Sequence, residues 1–198
     1  MAVPVPVERH RVTAQFNWPR PPVEGYTADD LDRLPGLPDH TELIDGGLVF
    51  MSPRMKFHAR MVVKLVTELR RAAPPGFDAI NEMTVKVAKR QRPEPDVIVL
   101  DRAKFIDDDT VTWFPASAVV LAVEVVSPDS EVRDRERKPV IYAEAGIEYF
   151  WLVERVDGKP LVKTFELDHR TRRYRPTGEF GKRLVIDNPF PLDIDLDI

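Results

Sequence analysis

The stretch Ala118-Val119-Val120-Leu121-Ala122-Val123-Glu124-Val125-Val126-Ser127-Pro128 is an almost unbroken run of small and β-branched apolar residues that contains one carboxylate. Such a run is typical of a strand covered on both faces, because a half-exposed strand alternates polar and apolar residues. A buried carboxylate costs several kcal/mol unless a cation, a metal or a proton compensates it. Glu124 is therefore the first candidate for a functional residue.

The composition places limits on the class of protein. The chain has 198 residues, of which 43% are hydrophobic and 31% charged, and its formal net charge is −4. This charge creates no general attraction to nucleic acid or anionic membranes, although local basic clusters can still contact phosphates. The sequence has no cysteine, which excludes disulfides, thiol catalysis and cysteine zinc sites and favours a cytoplasmic location. We find neither a secretory signal nor an apolar run long enough to span a membrane.

Turn signals and hydrophobic periodicity divide the chain. Residues 1–26 are rich in proline and lack periodicity, so we interpret them as a flexible arm. Residues 27–198 have no internal repeat and no linker, which predicts a single domain. We expect helices over 27–34, 56–73 and 131–145, a hairpin over 41–51, a polar loop over 101–117, and strands over 77–87, 97–100, 118–126, 147–153, 161–167, 184–187 and 192–198. This order predicts a mixed α/β domain in which one helix crosses between two buried strands.

Asp96 and Glu124 are the first two candidate site residues. Asp96 begins one buried strand and Glu124 lies near the end of the next, so the two carboxylates meet if these strands are antiparallel neighbours. Two adjacent carboxylates need a shared proton or a divalent cation, and oxygen ligands favour Mg²⁺ or Mn²⁺. The alternatives are that Asp96 only caps its strand and that Glu124 forms a salt bridge with a buried Lys or Arg.

Lys138 is the third candidate. It shares a helical stripe with Asp134 and with apolar residues, and its side chain could reach back to the end of the Glu124 strand. A lysine there could stabilise negative charge on a phosphoryl group in the transition state. The alternative is an ordinary surface pair between Asp134 and Lys138.

Three blocks of the sequence together resemble the Uma2 family of restriction-endonuclease-like proteins in the PD-(D/E)xK superfamily. The blocks are Pro95-Asp96-Val97, Val123-Glu124-Val125-Val126-Ser127-Pro128, and Asp134-x-x-x-Lys138-x-x-x-Tyr142-Ala143-x-Ala145-Gly146-Ile147-x-Tyr149-x-Trp151-Leu152-Val153. Glu42-Leu43-Ile44-Asp45-Gly46, followed by His58, extends the resemblance to about residues 27–198.

The resemblance implies a fold, an activity and a set of site residues. The fold would be a restriction-endonuclease-like mixed central sheet flanked by helices, with additional antiparallel strands at both ends. The activity would be Mg²⁺-dependent phosphodiester hydrolysis. Asp96 and Glu124 would be the metal ligands, Lys138 the catalytic lysine and Glu42 an auxiliary acid. Val126 occupies the position of the lysine in the usual Glu-x-Lys pattern, and the family's lysine is taken to lie on the following helix.

Our leading hypothesis is an endonuclease that hydrolyses DNA with Mg²⁺ or Mn²⁺ and forms a possible homodimer. The alternative is a catalytically inactive nuclease-fold module for DNA or protein binding, motivated by the negative net charge and by Pro139 directly after Lys138. A third hypothesis is hydrolysis of RNA or of a small nucleotide. We interpret His58 as a core or boundary residue and the arginines over 170–175 as a solvated hairpin face.

Overall fold

A computed structural model of the chain describes residues 20–106 and 108–198. Most of the predicted arm (residues 1–19) and Asp107 lie outside these ranges. The α-helices are α1 (Lys56–Ala72) and α2 (Lys138–Ala145). The strands are β1 (Thr41–Ile44), β2 (Gly47–Phe50), β3 (Phe77–Asn81), β4 (Thr84–Lys86), β5 (Val97–Asp101), β6 (Trp113–Pro115), β7 (Val119–Val125), β8 (Tyr149–Val156), β9 (Lys159–Asp168), β10 (Arg173–Phe180), β11 (Arg183–Ile186) and β12 (Leu192–Asp195). No helix within the described ranges is long and apolar enough to cross a membrane.

The central sheet has six strands in the order β10-β9-β8-β7-β5-β3. β7 and β8 are parallel, and the other neighbouring pairs are antiparallel. Parallel strands need a crossover connection, and α2 lies in the connection between β7 and β8. The antiparallel pairs β1–β2 and β11–β12 lie at the two ends of the described chain. The predicted mixed sheet, its crossover helix and its additional antiparallel strands are therefore confirmed.

The strand β7 separates two hydrophobic clusters because its side chains alternate between the faces of the sheet. Leu121 and Val123 pack in the cluster that contains the buried side of α1. Ala122 packs in the other cluster, together with Ile141 and Tyr142 of α2. The alternation puts Glu124 on the same face as Ala122, so this carboxylate lies towards α2.

The hairpin β1–β2 forms as the Asp-Gly signal predicts. Asp45 has a φ of 54° and Gly46 a φ of 81°, and a type I′ turn requires positive φ at both central residues. The register pairs Ile44 with Gly47 and Glu42 with Val49. All four residues of β1 are buried, which places Glu42 inside the protein.

Two expectations about the middle of the chain are wrong in detail. The single strand expected over 77–87 is divided into β3 and β4 at Glu82, whose φ of 58° interrupts an extended backbone. β4 pairs in parallel with β6, which lies inside the expected loop over 101–117. A strand of three residues is too short to show periodicity, and its partner lies about thirty residues away in sequence.

The helix expected over 131–145 is confirmed, and it includes a π-helical turn. A π-helical turn over Arg133–Arg137 precedes α2. Pro139 directly follows the π-helical turn, so the helix departs from regular hydrogen bonding at the point where a proline cannot donate a hydrogen bond. The proline does not exclude Lys138 from the interior, because Asp134 and Lys138 are both buried. The helix expected over 27–34 is a 3₁₀ helix over Ala28–Asp32.

Candidate active site

Asp96 and Glu124 meet because β5 and β7 are antiparallel neighbours. Val97 pairs with Val123 in this register, so Asp96, which precedes β5, lies beside the end of β7. Its Oδ2 accepts a hydrogen bond of 2.7 Å from the backbone N–H of Val125. Both carboxylates are buried. The structure therefore brings together the two acids that the sequence singled out.

Two side chains of α2 contact the Glu124 carboxylate. Lys138 Nζ donates a hydrogen bond of 2.9 Å to Glu124 Oε2, and the Tyr142 hydroxyl donates one of 2.5 Å to Oε1. Lys138 and Tyr142 are four residues apart, so they share one side of the helix. The salt bridge considered as the alternative for Glu124 thus exists, and it belongs to a larger acidic cluster.

Lys138 lies among three carboxylates. Its Nζ is 2.8 Å from Glu42 Oε1, 2.9 Å from Glu124 Oε2 and 3.3 Å from Asp134 Oδ1. The lysine side chain is 1% exposed. The pair between Asp134 and Lys138 is therefore buried and is not an ordinary surface pair.

Glu42 is fully buried and completes this group of acids. Its Oε1 accepts a hydrogen bond of 2.8 Å from the backbone N–H of Glu94 in addition to its contact with Lys138. Its Oε2 has no hydrogen-bond partner in the part of the chain that the structure describes. A buried carboxylate oxygen without a partner is costly, so Glu42 retains the capacity to accept a proton donor or a cation.

His58 also belongs to the site, although the sequence interpretation made it a core or boundary residue. It is buried on α1, and its Nε2 lies 2.9 Å from Asp96 Oδ1. Its Nδ1 has no hydrogen-bond partner among residues 20–106 and 108–198. The signal available in the sequence was its place on the stripe of Met61, Leu65 and Leu69, which turns it towards the sheet.

A second set of polar contacts lies beside Asp96, and the sequence reasoning missed it. Arg54 Nη2 is 3.9 Å from both Asp96 Oδ1 and Glu94 Oε1, and Arg54 also pairs with Glu82. His40 Nδ1 lies 2.6 Å from Glu94 Oε1. Burial raises the pKa of Glu94 above its ordinary value, although the hydrogen bond with His40 opposes this effect. These pairs join distant parts of the chain, so no spacing pattern could reveal them.

The cluster contains more acids than cations. Glu42, Asp96, Glu124 and Asp134 are buried carboxyl groups around one lysine. Burial raises the pKa of Glu124 well above its ordinary value and also raises that of Asp134, whereas the charge of Lys138 opposes both effects. Burial disfavours charge on Lys138, but the surrounding acids outweigh this effect and raise its pKa well above the ordinary value. Glu124 and Asp134 therefore bind protons more tightly than exposed carboxyl groups do, and an additional positive charge would be favourable in the cluster.

The donor set fits a hard divalent cation. Carboxylate oxygens are the ligands preferred by Mg²⁺ and Mn²⁺, and Glu42 Oε2 has no other partner within the described ranges. Across those ranges, no three acidic or histidine side chains form a complete metal cage. Mg²⁺ does not require such a cage, because it usually takes one or two protein carboxylates and completes its shell with water and phosphate oxygens.

A pocket of about 200 Å³ gives access to the cluster. The residues that line it include the acids and lysine described above and two arginines: Asp96, Glu124, Asp134, Lys138, Arg54 and Arg133. The arginines over 170–175 are exposed on the β9–β10 hairpin, as expected, and none of them lines this pocket.

Comparisons with solved structures support a nuclease-like fold. The chain is similar to a protein from Anabaena variabilis described as a "putative nuclease belonging to DUF820". The TM-score is 0.65 at 15% identity, and the match covers 86% of this chain and 94% of that chain. NucC of Pseudomonas aeruginosa, in its cAAA-bound form, matches at a TM-score of 0.35 and 12% identity over 61% of this chain and 80% of its own, which is too slight a likeness to support an argument.

Family membership rests on a match to a family model. No curated protein matches the sequence. A family model described as "Putative restriction endonuclease", Uma2, matches residues 28–198. This match includes every candidate residue of the acidic cluster and all strands and α-helices of the described chain. The chain therefore belongs to the Uma2 family.

Proposed function

We propose that the chain is a metal-dependent endonuclease of the PD-(D/E)xK type that hydrolyses phosphodiester bonds of DNA with Mg²⁺ or Mn²⁺. The observation that carries the proposal is the meeting of Asp96 and Glu124 at the edge of a buried acidic cluster with one lysine. The family description and the nuclease-like fold support the same class of reaction.

In this proposal Asp96 and Glu124 hold the divalent cation. A cation bound there would activate the attacking water and neutralise charge on the scissile phosphate. Val125 and His58 orient Asp96, since they contact its two oxygens. Glu42 is the auxiliary acid, and its oxygen without a partner could accept a hydrogen bond from a water molecule.

Lys138 supplies the second positive charge. The surrounding acids keep its Nζ protonated at neutral pH, since they raise its pKa well above the ordinary value. A protonated ammonium can donate hydrogen bonds to a phosphoryl oxygen and stabilise the charge that develops in the transition state. The start of α2 at Lys138 directs this side chain into the cluster, although the lysine does not follow Glu124 in a Glu-x-Lys pattern.

DNA is the proposed substrate because the family description names restriction endonucleases. A homodimer is part of the proposal, since two sites would allow both strands of a duplex to be cut. A monomer with one site would first nick one strand of a plasmid and form linear DNA only later. A dimer with two sites would form linear DNA early in the reaction.

A second candidate is a catalytically inactive nuclease-fold module that binds DNA or protein. The observation that favours it is the complete engagement of Lys138 by Glu42, Glu124 and Asp134, which stabilises the cluster without a metal. Such a module should show no saturable binding of a divalent cation that is lost when Asp96 is replaced.

A cleavage assay tests the leading proposal. Plasmid DNA and single-stranded DNA would be incubated with the protein in Mg²⁺ or Mn²⁺, and the Asp96→Asn and Glu124→Gln variants would be compared with it. Glu154→Gln is the matched control, because Glu154 is a buried acid on the neighbouring strand β8 that pairs with Arg135 and Lys163. We expect both site variants to lose at least about 100-fold in rate and the control to remain active. Equal activity of all four proteins would contradict the proposal.

A further inference from the structure

We propose that Arg133 binds a phosphate group of the nucleic-acid substrate beside the acidic cluster, an inference that rests on the proposed nuclease function. Arg133 lines the same pocket as Asp96 and Glu124. It is half-buried at the start of the π-helical turn, between Val132 and Asp134.

The pocket contains other basic side chains, but their charges are already engaged. Lys138, His58 and Arg54 each contact a carboxylate. Arg133 has no acidic partner within 4.0 Å among the residues that the structure describes, and it donates only a 3.3 Å hydrogen bond from Nη1 to the backbone oxygen of Asp129. Its positive charge is therefore available for a ligand.

The guanidinium of Arg133 also has a donor without an acceptor. Its Nε is buried and has no hydrogen-bond partner within the described ranges. Buried donors of this kind are uncommon in folded proteins, because they lose their contact with water and gain nothing in return. An anion in the pocket would satisfy this donor, and a guanidinium matches the oxygens of a phosphate with two parallel hydrogen bonds.

The two other arginines of the π-helical turn provide a comparison. Arg135 Nε lies 2.6 Å from Glu154 Oε1, and Arg137 Nε lies 2.8 Å from Asp45 Oδ2. Both are held by acids outside the pocket, whereas Arg133 is not. A π-helical turn often occurs at functional sites, and this one places Asp134 in the acidic cluster and Arg133 in the pocket.

The charge of the site explains the need for such a residue. A phosphate that approaches four buried carboxyl groups is repelled, and Lys138 already balances part of their charge. Arg133 provides positive charge in the pocket that the carboxylates do not neutralise. A contact of this kind positions the backbone of the nucleic acid and carries no sequence information.

The test is the binding of a fluorescently labelled oligonucleotide, single-stranded or duplex, measured by anisotropy at several salt concentrations with Ca²⁺ in place of Mg²⁺. We expect Arg133→Ala to weaken binding about tenfold and to reduce the slope of log Kd against log salt by about 0.7 to 0.9. Arg133→Lys should restore the salt slope and only part of the oligonucleotide affinity, because a lysine keeps the charge but cannot form the two parallel hydrogen bonds of a guanidinium. Arg137→Gln is the matched control and should bind like the wild type.

Two further measurements separate this inference from the proposed function. Arg133→Ala should keep the wild-type affinity for Mn²⁺ and the wild-type melting temperature, and its cleavage defect should appear mainly in KM. If Arg133→Ala binds the oligonucleotide with the affinity and salt slope of the wild type, the inference about Arg133 is overturned. The nuclease proposal would still stand if the wild type binds Mn²⁺ and cleaves DNA. A wild-type protein that neither binds Mn²⁺ nor cleaves DNA would overturn the nuclease proposal, and a weaker oligonucleotide affinity of Arg133→Ala would still support phosphate binding.

Discussion

Lys138 Nζ lies 2.9 Å from Glu124 Oε2 at the centre of the acidic cluster. The lysine also contacts Glu42 and Asp134, so it compensates several carboxylates that would otherwise be buried without a cation. A variant that lacks this charge tests two roles of Lys138, in catalysis and in the stability of the cluster, because the acids remain while the ammonium is lost.

We expect Lys138→Met to reduce the rate of DNA cleavage by about 100-fold or more, because the variant loses the charge that stabilises the transition state. Its affinity for Mn²⁺ should be unchanged or higher, since the acids lose a competing cation. Rates under single-turnover conditions and calorimetric Mn²⁺ titration measure the two effects. Lys163→Met is the control, because Lys163 pairs with Glu154 at 2.6 Å outside the cluster. A large loss of Mn²⁺ affinity in a folded Lys138→Met protein would contradict the assigned role.

The same variant should be less stable without metal at neutral pH. Removal of one partner of a buried ion pair leaves uncompensated charge and costs about 3–5 kcal/mol. Urea unfolding of Lys138→Met and the wild type measures this difference. Addition of Mn²⁺ should restore part of the lost free energy of unfolding, since binding to the folded state stabilises it. A Lys138→Met protein as stable as the wild type would show that the lysine does not balance the cluster.

The contact between His58 and Asp96 predicts an effect on metal affinity. His58 Nε2 lies 2.9 Å from Asp96 Oδ1 and orients this carboxylate. Loss of a residue that orients a ligand typically weakens metal affinity by roughly 10- to 100-fold, and we expect His58→Ala to behave in this way. His169→Ala is the control, because His169 makes a similar contact of 2.9 Å with Glu148 at the surface. Equal Mn²⁺ affinities in the two variants would contradict a positioning role for His58.

The acidic cluster also predicts how stability depends on pH in the absence of metal. Burial raises the pKa of Glu124 well above the ordinary value of 4.5, so the folded state binds more protons than the unfolded state above this pH. This contribution is present below 4.5 and is lost as the pH rises towards the folded pKa. The contribution of Asp45 to stability depends on pH in the opposite way. The hydrogen bond from Arg137 lowers the pKa of Asp45 below 3.8, so this contribution is lost as the pH falls.

The measurement is urea unfolding between about pH 5 and about pH 8, where the contribution of Asp45 is constant. We expect the free energy of unfolding of the wild type to fall with pH over this range more steeply than that of Glu124→Gln. The same protonation should weaken metal binding at low pH, because a ligand must lose its proton to bind a cation. An identical pH dependence in the two proteins would show that Glu124 does not retain a proton on folding.

The central features of the fold could be predicted because they depend on local patterns. The apolar run around Glu124 identified a buried strand, and Asp45-Gly46 identified the hairpin that carries Glu42. The positions of Asp96 and Glu124 at opposite ends of successive strands indicated that they could meet, and the register of β5 and β7 brings them together.

Other features depend on contacts between distant residues and have no local signal. β4 pairs with β6 although β5 lies between them in the sequence, and neither strand is long enough to show alternation. The contact of Glu42 with Lys138 joins residues that are almost one hundred positions apart. The π-helical turn could not be predicted either, because its sequence also fits an ordinary helix.

The proposed site requires Mn²⁺ binding that depends on Asp96, and calorimetric titration of the wild type and Asp96→Asn measures this dependence. We expect saturable binding to the wild type and to Glu154→Gln, and a loss of this binding in Asp96→Asn and Glu124→Gln. Folding of each variant would be confirmed by its circular dichroism spectrum. Two results would contradict the proposed metal site: no saturable binding of Mn²⁺ to the folded wild type, or an affinity of Asp96→Asn equal to that of the wild type.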